Sequence, residues 1–158
     1  MKMKPKSIWI KVVLLLVILF ILIQLIPKAK RNSTDSVSTT SIDNLYLVPD
    51  TVMHLLKIAC YDCHSNNTHY PWYSNWQPFT LYLNNHITEG KKELNFDEFS
   101  NYTSRRQKSK LKSIASQIED NEMPLTSYKL IHSNARLNND EKQLIINWAK
   151  QTLDNLNK

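Results

Sequence analysis

Residues 60–64 read Cys-Tyr-Asp-Cys-His, and that order of side chains carries a defined chemistry. Two thiols separated by two residues can form thioethers with the two vinyl groups of one porphyrin. The imidazole that follows is then brought under the iron as proximal axial ligand. Cys60 and Cys63 are the only cysteines in the chain, so all of its thiol chemistry sits in this one turn. Attachment of this kind fixes a cofactor without a large apolar pocket, which suits a small domain. Three other uses fit less well. A Cys60–Cys63 disulfide closes too short a loop to contribute much entropy. A thioredoxin-like pair needs a βαβ setting. A zinc site wants a second ligand pair at finger spacing, whereas His54, His69, His86 and His132 stand singly. The reading is one haem c per chain, attached at Cys60 and Cys63, with His64 on the iron.

One axial position then remains. Met123 stands in Asn121-Glu122-Met123-Pro124, a polar, non-periodic segment where a gap-filling core methionine is less natural. A thioether there gives the His/Met ligation of small electron-transfer cytochromes. Met53 reads as an ordinary helix residue, and His69 lies too near His64 to reach the other face of a porphyrin. His86 ranks next and His132 after it, as partners in a bis-His site. Tyr70, Trp72, Tyr73 and Trp76 crowd just behind the motif, either covering a porphyrin edge or forming a small core cluster. The cations of Arg105–Lys112 read as a solvated helix face, or as a docking surface for an acidic redox partner or a haem propionate.

The elements that must position these groups follow from length, glycine content and charge. A chain of 158 residues holds one modest domain and an appendage. Its single glycine, Gly90, excludes phosphate-cradling loops and argues against a hairpin-rich β fold. The expected class is all-α. The formal charge of +6 suggests nucleic acid, but seven of the 20 cations precede Asn32 with no acid among them. The rest of the chain holds 13 cations against 14 acids, a net of −1, so nucleic acid is not an expected partner. Between the early cations lies the apolar run Ile8–Ile26, broken by Lys11 and Gln24 and about 28 Å long as a helix. Pro27-Lys28-Ala29-Lys30-Arg31 offers no small-x-small cleavage site. Residues 1–31 are therefore expected to be a retained transmembrane helix with a cytoplasmic N-terminus, residues 32–44 a Ser/Thr-rich polar tether, and residues 45–158 an exported haem domain.

Within that domain four helices are expected. The first, Asp50–Ala59, buries Val52, Leu55, Leu56 and Ala59 and runs straight into Cys60. The second starts at Pro78 and loosens near Gly90 and Asn95. The third is capped by Thr103 and runs through Glu119, with Leu111, Ile114, Ala115 and Ile118 inward. The fourth starts after Asn138, with Glu141 at capping-box spacing, and buries Leu144, Ile145, Trp148 and Leu153. The first and last are expected to pack together around the haem.

The blocks CYDCHSNNTHYPWY, EGKKELNF, NEMPLTSY and LNNDEKQLIINWAK resemble the haem-binding domain family of exported bacterial proteins, itself similar to small c-type cytochromes. The resemblance spans residues 45–157. It implies attachment at Cys60 and Cys63, His64 as proximal ligand and Met123 as distal ligand. The implied fold is a cytochrome c-like helical domain behind the membrane helix. The implied function is haem binding with one-electron transfer; the anchor and its flanking charges add the expectation of redox partner proteins on the periplasmic side of the membrane. Two readings stand beside it: a haem peroxidase or gas and redox sensor with a labile distal ligand, and a thiol-disulfide oxidoreductase using Cys60 and Cys63.

Overall fold

The computed structural model describes residues 5–34 and 38–158. Residues 1–4 of the expected anchor and residues 35–37 of the expected tether lie outside the described residues. The described chain is helical and contains no strand, as expected. Its helices are α1 (Pro5–Ile23), α2 (Ile42–Leu45), α3 (Asp50–Ala59), α4 (Tyr61–His64), α5 (Phe79–Glu93), α6 (Ser104–Glu119), α7 (Thr126–Ile131) and α8 (Asn139–Asn155). Short 3-10 turns cover Trp72–Asn75, Phe96–Asn101 and Ser133–Ala135. Two compact units result, one made of the chain up to Arg31 with Tyr70–His86, the other of Asn32–His69 with Ile87–Lys158.

In the first unit, every side chain from Ile8 to Leu22 on α1 is exposed. A helix on a globular surface buries an apolar stripe and shows a polar one; α1 does neither. It ends at Ile23, short of the end of the apolar run, because Gln24, Leu25 and Ile26 tighten into i→i−3 bonds. No helix among the described residues is long and apolar enough to cross a membrane. Gln24 is more than an interruption of the run. Its Nε2 donates to the carbonyls of Phe20 and Gln77, both at 3.1 Å, and its Oε1 accepts from the Gln77 N–H at 3.0 Å. Lys28 Nζ donates to the Asn75 carbonyl at 2.6 Å, and Arg31 Nη2 to Asn75 Oδ1 at 2.8 Å.

The second unit is built on α3, α6 and α8. Their buried residues recur at helical spacing: Val52, Leu55, Leu56 and Ala59 on α3, and Leu111, Ile114, Ala115 and Ile118 on α6. These are the two faces the sequence predicts. Both α3 and α6 pack against α8, whose start is the expected capping box between Asn138 and Glu141. The inward face of α8 differs from expectation: Ile146 and Ala149 are buried with Ile145 and Trp148, while Leu144 is exposed and Leu153 half-buried. Periodicity alone places Leu144 and Ile146 equally near the stripe, and only the packed neighbours choose between them. The tether also differs. Ile42 is fully buried in the core, Asn32 Nδ2 donates to the Ser65 carbonyl and Thr68 Oγ1, both at 2.8 Å, and Thr40 Oγ1 donates to the Asp97 carbonyl at 2.7 Å. The packed part therefore begins well before Leu45, held by hydrogen bonds that a hydropathy pattern does not register.

α6 ends at Glu119, as the sequence predicts, and the residues that close it come before Pro124. Asn121 takes the left-handed conformation (φ 60°), the Asn121 N–H bonds the Ile118 carbonyl at 3.2 Å and the Glu122 N–H bonds the Gln117 carbonyl at 3.0 Å. This is a Schellman closure with Asn in the place glycine usually takes. The Met123 N–H shares the same Gln117 carbonyl at 3.1 Å, so the reversal sets the backbone of Met123. An Asn121→Ala chain should lose about 1 kcal/mol of stability and Asn121→Gly should lose none, read from thermal melts of the two variants.

Candidate functional site

Cys60 joins α3 to α4, and the N–H groups of Cys63 and His64 return to its carbonyl at 3.2 and 3.0 Å. One helical turn places positions i, i+3 and i+4 on a common side; of the three residues, Cys60 and His64 line the cavity beside α6 and Cys63 does not, its Cβ and carbonyl lying against Gly90 of α5. The two residues between the cysteines hold the turn from elsewhere. Tyr61 stacks on Phe96 with ring centroids 5.0 Å apart and planes 5° from parallel. Asp62 Oδ2 accepts from the Tyr128 hydroxyl at 2.7 Å, its Oδ1 from the His69 N–H at 3.0 Å, and its carbonyl from Thr68 Oγ1 at 2.6 Å.

His64 Nδ1 lies 2.9 Å from the Gly90 carbonyl and 3.0 Å from the Leu94 carbonyl. Carbonyls only accept, so Nδ1 carries the proton. Burial pushes the His64 pKa below its usual value, which keeps the ring neutral and leaves the Nε2 lone pair free. Phe96 meets the imidazole edge-on, centroids 6.4 Å apart. Gly90 does more than lend its carbonyl. A Cβ at that position would fall 2.8 Å from the Cys63 carbonyl oxygen and 3.2 Å from the Cys63 Cβ, so only glycine lets α5 approach the turn this closely. The expectation that Gly90 loosens the second helix is thereby overturned: α5 runs on to Glu93.

His64 and Cys60 open onto a cavity of about 290 Å³ whose wall is mainly apolar, with Ala59, Leu94, Phe96, Ile114, Ile118, Met123 and Pro124. Glu93, Lys110, Ser113 and Gln117 are its polar members. Met123, 59 residues beyond His64 in the chain, thus reaches the same cavity as that imidazole.

A comparison with known families matches residues 18–151 to the haem-binding domain, well over half of the chain. The chain belongs to the haem-binding domain family. No curated protein and no solved structure matches it.

The residues of this haem-binding domain suit the ligand its family is named for: a neutral imidazole with a free lone pair and a thioether line one apolar cavity, with a thiol beside them. The thiols are poor nucleophiles as they stand. Burial, with the neighbouring Cys63 charge second, pushes Cys60 up to about 12, and burial, with Asp62 second, pushes Cys63 up to about 11. A redox-exchange pair needs the opposite shift. Both cysteines are free rather than bridged to each other.

The other sequence candidates lie elsewhere. Met53 packs against the core of α3, α6 and α8, as an ordinary helix residue would. His69 and His132 line a separate polar hollow with Asp62 and Tyr128, and His132 stacks on Tyr128 at 4.1 Å. His86 meets Tyr82 edge-on at 4.3 Å in the first unit. Among the described residues no three His, Cys, Asp or Glu gather to hold a metal ion. Tyr70, Trp72, Tyr73 and Trp76 also belong to the first unit, and none lines the cavity. Nor does α8: it packs on α3 as expected, and on α6 as well, but contributes no residue to the cavity wall. Of the cations in Arg105–Lys112, Lys110 alone lines the cavity; its side chain is 17% exposed and sits 3.4 Å from Glu93 Oε2. Sequence reasoning missed the parts played by Gly90, Leu94 and Phe96. The one available signal was a lone glycine inside a helix, where it costs about 1 kcal/mol against alanine and so needs a packing reason.

Proposed function

We propose that this haem-binding domain carries one haem c, attached at Cys60 and Cys63, with His64 and Met123 as axial ligands, and serves as a membrane-tethered one-electron carrier. The observation that supports this most is the neutral, doubly clamped His64 opening onto the cavity that Met123 also reaches. The group supplies one-electron exchange between ferrous and ferric iron without bond chemistry. The chain supplies the rest. The carbonyls of Gly90 and Leu94 fix the imidazole tautomer and orientation, Phe96 and the isoleucines of α6 exclude water, and Met123 provides a soft thioether that favours the reduced state. Lys110 offers a mostly buried cation to the haem carboxylates.

The tether is α1. Its exposed apolar surface on all sides supports burial in lipid. The described apolar helix from Ile8 to Ile23 is shorter than a hydrocarbon core, a mismatch that bilayer thinning and snorkelling of flanking lysines accommodate at fractions of a kcal/mol per Å. The cationic N-terminus favours placement of the haem domain on the periplasmic side, where redox proteins at the membrane are its partners.

Intact mass and optical spectra of the purified chain test the core of this reading. The expected result is the added mass of one covalent haem and, in the oxidised protein, the weak near-infrared band of Met-to-iron ligation, lost in Met123→Ala. A mature chain without added mass overturns covalent attachment, and persistence of the band in Met123→Ala overturns Met123 as ligand. Lys110→Gln should lower the reduction potential measured by redox titration, because removing a nearby cation from a low-dielectric site destabilises the reduced state.

A further inference from the structure

The aromatic block after the haem motif has no part in the cavity, and its surroundings in the first unit give it another use. Trp72 is 79% exposed, Trp76 50%, Phe79 49% and Tyr82 53%. The rings form a connected series: Trp72 meets Tyr73 at 6.0 Å, and Tyr73 meets Phe79 at 6.1 Å. Soluble surfaces seldom leave so much joined aromatic area in water. Trp76 stacks on Phe20 of α1, centroids 6.2 Å apart and planes 22° from parallel, so the block stands level with the last turn of the apolar helix. The cations that follow α1 are fastened to the same segment: Lys28 and Arg31 both bond Asn75, and the Arg31 guanidinium lies 5.1 Å over the Tyr70 ring.

From this arrangement we infer that the exposed face of residues 72–82 is a membrane-interface surface, seated among lipid headgroups beside the end of α1. The chemistry matches on each count. Trp and Tyr favour the boundary where a ring lies in an apolar layer and its polar tip in water. Lys28 and Arg31 complement lipid phosphates at that depth. Phe20 fixes the depth, because a helix turn that enters lipid takes the ring stacked upon it to the same level. The inference rests on the reading of α1 as a membrane tether.

The test uses the full haem-loaded chain in mixed phosphatidylcholine–phosphatidylglycerol vesicles. A photoactivatable group placed near the lipid headgroup labels the chain, and mass spectrometry maps the sites. Resistance to an alkaline wash, with labelling of both α1 and residues 72–82, is the expected result. A chain doubly substituted Trp72→Ser and Phe79→Ser should lose that second set of labels severalfold and keep those on α1. Labels confined to α1 overturn the surface and leave the tether standing. A dimer in detergent that Trp72→Ser dissolves, with the same confined labels, assigns the face to a second copy and also overturns it. Release by the alkaline wash overturns the tether, and the surface with it.

Discussion

A Gly90→Val chain is expected to purify with little or no bound haem, and Gly90→Ala with much reduced haem, measured as haem absorbance per chain after purification. Two effects oppose each other at this position. Alanine or valine inside a helix is favoured over glycine, for alanine by about 1 kcal/mol. Against that stands a Cβ 2.8 Å from the backbone oxygen of Cys63, a contact that no side-chain rotation relieves. Overpacking of this kind costs about 1–3 kcal/mol, and more as the substituent grows. The clash wins because the backbone fixes the position of the Cβ and its partner is a backbone oxygen, so α5 must move away from α4. Moving it takes the Gly90 carbonyl from His64 Nδ1, leaving the imidazole oriented by Leu94 alone. A buried donor with one partner removed is costly, and a ligand ring free to turn binds metal less well. Full haem content in Gly90→Val would refute this account of the glycine.

Phe96→Ala is expected to destabilise the second unit by about 3–5 kcal/mol, a large share of the ~5–15 kcal/mol that holds an ordinary domain. Phe96 is 1% exposed and touches the motif twice, face to face with Tyr61 and edge-on to His64. Its removal opens a cavity at the point where the 3-10 turn Phe96–Asn101 supports α4. Chemical denaturation should show the midpoint falling sharply, and haem content should fall with it. Phe96→Leu keeps most of the volume and should recover most of the stability, but not the flat stack on Tyr61. A midpoint unchanged in Phe96→Ala would show that the stack is not a support of the motif.

Each block quoted from the sequence meets the motif turn, or supports what does, for a reason that the linear chain conceals. EGKKELNF brings Gly90, the Leu94 carbonyl and Phe96 to one side of it. NEMPLTSY contains the left-handed Asn121, Met123 and the Tyr128 that holds Asp62. LNNDEKQLIINWAK forms the capped helix against which α3 and α6 pack. None of these meetings is signalled by periodicity, because a carbonyl 26 or 30 residues away from His64 has no side-chain identity to read.

What the sequence by itself determined is the chemistry that depends on local order. The Cys60, Cys63 and His64 offsets, the buried faces of α3 and α6, the cap of α8 and the concentration of cations before Asn32 all rest on spacings of a few residues, where helix geometry is the only intermediary. The tertiary structure alone decided which distant groups serve that chemistry. It chose Lys110 among neighbouring cations, Ile146 over Leu144, hydrogen-bonded docking for much of the supposed tether, and the first unit for the four aromatics. Those outcomes turn on steric fit and backbone hydrogen bonds between segments far apart in the chain, and such contacts exist only once the helices have packed.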